Sequence, residues 1–455
     1  MYDEGRYEDA ISYVKQVPES DTAYALALYE HALSYRALKK PKESIPLLKK
    51  GLSMWTNYRR SFYEMLGSSY DEAGDFQNSL KTYKQGLEEF PTYDMFYNEI
   101  AVAYSNHKEG DSALANFIKA VQLNPLRPLN HLKLSAFLIG NNQFVPALMS
   151  YLIYSSLESN TSRSFTQLAA YEKILKKEQV LDNDTALKLN YNVEQFMELE
   201  LIIKSNMAVS NDYKVPGKLN YPYLIKNFHL LMEKIQINKD NNDIWNTFYM
   251  ETLKKIYNEK RFQLFVLNIF STVNSDDVKK EVKKKKKDIE EFQTWMIQLF
   301  YNKYMKDRTS MVEGKSVTAE HSYYSNGNIK LIVKYDKIKS INTGPCYLFY
   351  KNGILNAKGA YDMAGKKDGE WMYYLEDGTI SSLQTAKAGI LHGPYVIYYP
   401  NGALKEKGSN VNGKAEGEVQ YFYSHGALKR QNMYANDKVT GIITEYHDND
   451  ILAHT

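Results

Sequence analysis

The chain has 455 residues, 44% of them hydrophobic and 24% charged, an ordinary composition for a folded protein of about three domains. A formal charge of +3 is too small to point to nucleic acid or a membrane surface. A single cysteine, Cys346, excludes internal disulfides and thiolate metal clusters.

Met1-Tyr2-Asp3-Glu4 lacks the basic start and apolar core of a signal peptide. No apolar run reaches the roughly 18 residues of a membrane-spanning helix. The expected location is cytoplasmic by default, or exported if the N terminus is incomplete. Gly5 to Tyr13 reads as the second helix of a pair whose first helix is missing. That makes it an atypical cap, or the natural chain is expected to extend further upstream, where a leader could carry an export signal.

Residues Tyr24 to Tyr58 form a fuller pair, with Pro41 and Pro46 expected to delay its second helix. The next stretch is written twice. Tyr63, Leu66, Gly67, Tyr70, Tyr83, Gly86 and Pro91 recur as Tyr97, Ile100, Ala101, Tyr104, Phe117, Ala120 and Pro125, every step being 34 residues. Tyr63, Leu66, Gly67 and Tyr70 lie on one stripe of an amphipathic helix, and Gly74-Asp75 breaks it. Ser79, Leu80, Tyr83 and Leu87 make the second stripe. A small Gly67 lets two helices approach while large rings fill the space beside it. One such hairpin cannot cover its own stripe, so a fixed period of this length predicts stacked helical hairpins. A last copy, with His131, Leu134, Ser135, Leu138, Ala147 and Tyr151, runs to Ser159.

These positions resemble the tetratricopeptide repeat, with Ser79 and Gly86 standing for two small alanines. The resemblance implies an α-solenoid over 1–159 that binds a protein or peptide on its concave face. Carried over by register, the contact residues are Glu64, Ser68, Asp71, Asn98, Val102, Ser105, Asn106 and Leu132. Chaperone-binding members clamp a C-terminal carboxylate with lysines and asparagines there. Glu64, Ser68 and Val102 stand at such positions here, so no clamp is expected.

Residues 160–312 continue as helix without clear repeats, either extending the solenoid or capping it. Trp245, Phe248, Tyr249, Leu253 and Ile256 make one stripe, Val193, Phe196, Leu199 and Ile202 another, and a loop around Asn206–Tyr221 splits the segment. Asp240-Asn241-Asn242-Asp243 lacks the glycine and glutamate of a calcium loop and reads as a helix cap. Lys279, Lys280, Lys283, Lys284, Lys285, Lys286 and Lys287 precede an expected apolar helix over Phe292–Tyr304. The favoured reading of the lysines is a solvated turn between helices. The rival is contact with an anionic surface.

Composition changes at about residue 313. Sixteen of the 24 glycines follow, and Gly344, Gly369, Gly393, Gly417 and Gly441 step by 25, 24, 24 and 24. Aromatic strands sit between them, closed by Asn326-Gly327, Asn352-Gly353, Asp377-Gly378 and Asn401-Gly402, pairs that suit two-residue hairpin turns. Second turns fall at Gly365-Lys366, Gly413-Lys414 and Asp437-Lys438. Residues 313–455 are thus an antiparallel meander of eleven or twelve strands. Its open edge near Ile451 is free to pair with another chain.

This pattern resembles the bacterial variant of the MORN repeat. That family is linked to scaffolding and membrane lipids, and some members carry the label of antitoxin. A local charge of +1, from 16 basic and 15 acidic residues, speaks against strong lipid attraction. The tyrosine rows either pair across strands or offer contact to protein or glycan.

No phosphate loop, dinucleotide fingerprint or zinc-protease motif occurs. The sequence therefore predicts a non-enzymatic, multidomain α + β adaptor without cofactor or metal. Its expected partner is a protein or peptide, with no nucleic acid. Membrane attachment through the lysines and the sheet is the first alternative, and an antitoxin-like inhibitor the second.

Overall fold

The computed structural model describes residues 4–21, 23–54, 58–176, 186–189, 196–204, 223–235, 241–257, 259–271, 276–312, 315–324, 328–336, 338–447 and 452–454. The loop over 206–221, the Asn326-Gly327 turn, Val193, Asp240 and Ile451 lie outside them. The chain divides into two compact units, residues 1–93 with 306–455, and residues 94–305.

In the first unit five helices come first: α1 (Tyr7–Val14), α2 (Tyr24–Ala37), α3 (Pro41–Ser53), α4 (Arg59–Glu72) and α5 (Phe76–Glu89). Ala25, Leu28, Ala32, Leu48, Phe62, Met65, Leu66 and Tyr70 form one core. Glycines set how closely these helices pack. A Cβ on Gly51 would lie 2.3 Å from the Phe62 ring, and one on Gly67 would lie 2.3 Å from the Tyr83 ring. Helix α3 does not start late. Pro41 occupies its first turn, where the missing N–H has no helical partner to lose, and Pro46 is carried inside. Packing outweighs that lost bond. Leu48 is fully buried, and the hydroxyl oxygen of buried Ser44 lies 2.6 Å from Pro41 O and 2.7 Å from Ser69 Oγ, within hydrogen-bond distance of both.

Among the described residues the rest of this unit is one antiparallel sheet of 14 strands. They are β1 (Asp307–Val312), β2 (Lys315–Tyr323), β3 (Ile329–Asp336), β4 (Ile341–Phe349), β5 (Leu355–Tyr361), β6 (Lys367–Tyr374), β7 (Ile380–Lys387), β8 (Ile390–Tyr398), β9 (Leu404–Val411), β10 (Lys414–Ala415), β11 (Gly417–Phe422), β12 (Leu428–Ala435), β13 (Lys438–Tyr446) and β14 (Leu452–His454). Neighbours in sequence are neighbours in the sheet, except that β11 follows β9 while β10 pairs β9 alone. The strands outnumber the expected eleven or twelve, and β1 begins ahead of residue 313.

The 24-residue glycine period has a backbone cause. Gly344, Gly369, Gly393, Gly417 and Gly441 all have positive φ. The register slips beside Gly344, where Val333 faces Cys346 but Lys334 faces Thr343, as it does in a β-bulge. The turns differ from expectation too. At Asn352-Gly353 only the glycine has positive φ, at 90°, and Gly353 N donates to Tyr350 O at 2.9 Å. This is a three-residue loop that ends in a bulge. The two-residue turns, positive at both positions, lie at the opposite hairpin ends: Ala388-Gly389, Asn412-Gly413 and Asn436-Asp437.

The second unit contains α6 (Met95–Asn106), α7 (Gly110–Leu123), α8 (Pro128–Gly140), α9 (Phe144–Leu157), α10 (Ser162–Leu175), α11 (Met197–Lys204), α12 (Tyr223–Lys234), α13 (Glu251–Ile256), α14 (Glu259–Phe270), α15 (Asp276–Lys284) and α16 (Lys286–Phe300). The α16 helix starts ahead of Phe292, and wider π-helical turns cover Trp245–Met250 and Tyr301–Met305. Every residue of α9 from Val145 to Ser156 is buried. It touches α8, α11, α12, α14, α16 and the Trp245–Met250 turn. A helix of a stacked array meets mainly its neighbours in sequence, so these later helices wrap α9 rather than continue the stack.

Two carboxylates hold this arrangement from a distance. Buried Glu200 accepts from Phe144 N at 3.2 Å and Val145 N at 2.7 Å, and so caps α9. Glu172 accepts from Tyr223 N at 3.0 Å and Leu224 N at 2.7 Å, and so caps α12. Asp243 caps its helix locally, accepting from Asn246 N at 2.8 Å.

Candidate interaction surfaces

The residues assigned to the concave face have different surroundings. On α4, Glu64, Ser68 and Asp71 are half-buried and recur at i, i+4 and i+7, one side of the helix. The Tyr93 hydroxyl donates to Glu64 at 2.9 Å, and Ser68 Oγ lies 2.9 Å from the Tyr83 hydroxyl. In the second unit Val102 and Ser105 are half-buried and Asn106 is exposed.

Asn98 and Leu132 are buried instead. Asn98 Nδ2 donates to Asn130 Oδ1 at 2.7 Å, and Asn130 Nδ2 donates to Asp94 at 2.7 Å. Arg127 pairs with the same Asp94 carboxylate at 2.6 Å. These side chains join successive helix pairs and present no surface. Sequence spacing alone does not separate them from Val102, because a polar residue on the first helix reads the same whether it faces water or the next pair.

His131 was a register position and is also a polar seam. It is fully buried, with Nδ1 at 2.8 Å from the Tyr249 hydroxyl and Nε2 at 2.9 Å from Pro125 O. Burial holds its pKa down to about 4, so the ring is neutral near pH 7.

The lysine tract falls on a break between two helices. Lys285 is the residue between α15 and α16, and all seven lysines are exposed. Lys285 pairs with Asp288 at 3.0 Å, while Lys286 and Lys287 lie 3.9 Å from Glu290 and Glu291. Among the described residues no helix is long and apolar enough to cross a membrane.

On the sheet the tyrosines form a ladder of hydroxyl-to-carbonyl bonds. The hydroxyls of Tyr324, Tyr350, Tyr399 and Tyr423 donate to the carbonyls of Phe349, Tyr374, Phe422 and Tyr446 at 2.8 to 3.1 Å. Each acceptor lies one repeat ahead. The turn asparagines add a second tie. Asn352 Oδ1 accepts from Ile354 N at 3.0 Å, closing its own turn, and Nδ2 donates to Glu376 O at 3.2 Å in the next repeat. Asn401 does the same with Ala403 N and Ser424 O. The third repeat has Leu375 and Asp377 at these positions, and neither side chain can donate. The period of 24 is a signal from which the ladder is legible, since the tyrosine before each turn recurs with it.

Cys346 is buried in the sheet with Val333, Trp371 and Ala386, and burial pushes its thiol up to about 11. Among the described residues no group of three or more His, Cys, Asp or Glu is placed to hold a metal ion.

The tetratricopeptide repeat family matches residues 61–93, and the MORN repeat variant family matches residues 391–410. No curated protein matches the chain significantly. Among solved structures, a crystal structure of MamA is 18% identical and covers 34% of this chain and 89% of its own, with a TM-score of 0.28. A second MamA crystal structure is 19% identical and covers 40% and 91%, with the same TM-score of 0.28. Paired helices of 34-residue period thus include a tetratricopeptide repeat at residues 61–93, and bulged hairpins of 24-residue period include a MORN repeat variant at residues 391–410.

Proposed function

We propose that this chain is a non-enzymatic adaptor that holds a protein partner on the first helices of its repeat pairs. Tetratricopeptide repeats suggest a protein-interaction scaffold. The observation that carries the finer reading is the polar row Glu64, Ser68 and Asp71 on α4, with Val102, Ser105 and Asn106 as its counterpart on α6. Neither row is consumed by the apolar core beneath it. A preformed helical surface lowers the ordering cost of binding, which suits an extended peptide or a helix. Asn98 and Leu132, being buried, position the helices and take no direct part.

A photo-crosslinking residue placed at Ser68 or Asn106 of the full chain tests this in its native cell. The expected result is one saturable protein adduct at each site. The same residue at Lys84 or Lys119, exposed on the second helices, should give none. Equal labelling from all four positions would overturn the proposal.

A further inference from the structure

Lys285, the residue that follows α15, lines a cavity that the sequence does not reveal. It lies between α14 and α16, has a volume of about 610 Å³, and is floored by Leu264, Leu267, Phe292 and Trp295. Two cations rim it. The Arg261 guanidinium sits 4.1 Å from the centre of the Trp295 ring, and Lys285 lies at the helix break. The acids on the rim are already matched, Asp288 by Lys285 and Glu291 by Lys287. Beyond the rim, Lys279, Lys280, Lys283 and Lys284 are exposed along α15. An apolar, aromatic recess and the end of a run of exposed lysines therefore meet at Lys285, within a single unit.

We propose that this recess and the α15 lysines bind an acidic peptide segment of a partner protein. One large apolar side chain would anchor in the recess, and flanking carboxylates would lie along the lysines. A charged tract alone attracts any polyanion, but the recess adds a demand that a lipid headgroup or a free phosphate does not meet. A buried apolar anchor supplies most of the affinity of such a contact, and the charges set its orientation and its rate of association. The site shares no residue with the polar rows on α4 and α6, so it stands or falls independently of them.

Selection of random twelve-residue peptides, displayed on phage, against the full chain tests the assignment. Enriched peptides should carry Asp or Glu on both sides of one Phe, Trp or Leu, and replacing that residue by Ser should weaken binding at least tenfold. Combining Lys279→Gln, Lys280→Gln, Lys283→Gln and Lys284→Gln, all exposed changes, should weaken it at least tenfold and flatten its dependence on salt. Trp295→Ala should remove the preference for the anchor while leaving salt-dependent attraction. Enrichment of peptides without acidic residues, or equal binding to the glutamine variant, would overturn the proposal. Lysine-dependent binding to phosphatidylserine vesicles with no acidic peptide selected would overturn it in favour of a membrane surface.

Discussion

The hairpin of α4 and α5 and the hairpins of the sheet both repeat a module that cannot cover itself, but they join their modules with different bonds. In the helices the backbone groups away from the ends are satisfied within their own helix, and what passes between α4 and α5 is side-chain packing, as where Gly67 meets Tyr83. In the sheet the backbone ladder itself crosses from module to module, and where the turn is preceded by tyrosine its hydroxyl adds one more bond. Helical repeats are thus specified by shape and are free to vary in their polar residues. The sheet is specified by register, which the bulge glycines fix.

Acid should separate the two most strongly. His131 has a folded pKa of about 4 against the 6.5 of a free imidazole. The unfolded chain takes up a proton that the folded one refuses, so the contribution is full above pH 6.5 and falls as pH drops toward 4, by about 3 kcal/mol. In urea melts at pH 7, 5.5 and 4.5, the helical signal of residues 94–305 should lose midpoint faster than the Trp371 signal of the sheet. Parallel loss would show that the buried imidazole is not the weak point.

Glycine substitution sharpens the contrast next. A Cβ on Gly359 would meet the Trp371 ring at 2.3 Å, the same distance as on Gly67 against Tyr83. Overpacking of this kind costs about 1–3 kcal/mol. In the helix Ala recovers about 1 kcal/mol of propensity, so Gly359→Ala should destabilise more than Gly67→Ala. Chemical denaturation of both variants ranks them, and the reverse order would mean that the sheet yields more easily than the helix pair.

A smaller effect is expected from the ladder. Tyr350→Phe deletes the donor to Tyr374 O and should cost about 1 kcal/mol, read as a lower midpoint for the sheet. The smallest change should be a gain. Leu375→Tyr restores the missing rung toward the following repeat and should raise the sheet's midpoint by less than about 1 kcal/mol. A fall instead would show that Leu375 packs in a way the hydroxyl cannot replace.

The candidate surfaces were only partly legible in advance. Lys285 lies at the break between α15 and α16 and the six lysines around it are exposed on those two helices, because such a run of charge has no way to be buried. The recess beside it depends on Arg261 and Trp295, 34 residues apart in sequence, and no local pattern connects them. Likewise the spacing placed Asn98 beside Val102 on one helix but did not tell which of them the next helix pair would cover.

What the sequence alone determined is whatever repeats, because periodicity records a local geometry: 34 residues for a helix pair, 24 for a bulged hairpin, a glycine where φ must be positive. What the tertiary structure decided is whatever is satisfied from afar. Glu200 caps a helix that begins 56 residues earlier, His131 meets Tyr249 across 118 residues, and α9 is wrapped by helices that share no period with it. A hydrogen bond or a packed face depends on proximity in space, and once the repeats end the order of residues no longer says which ones meet.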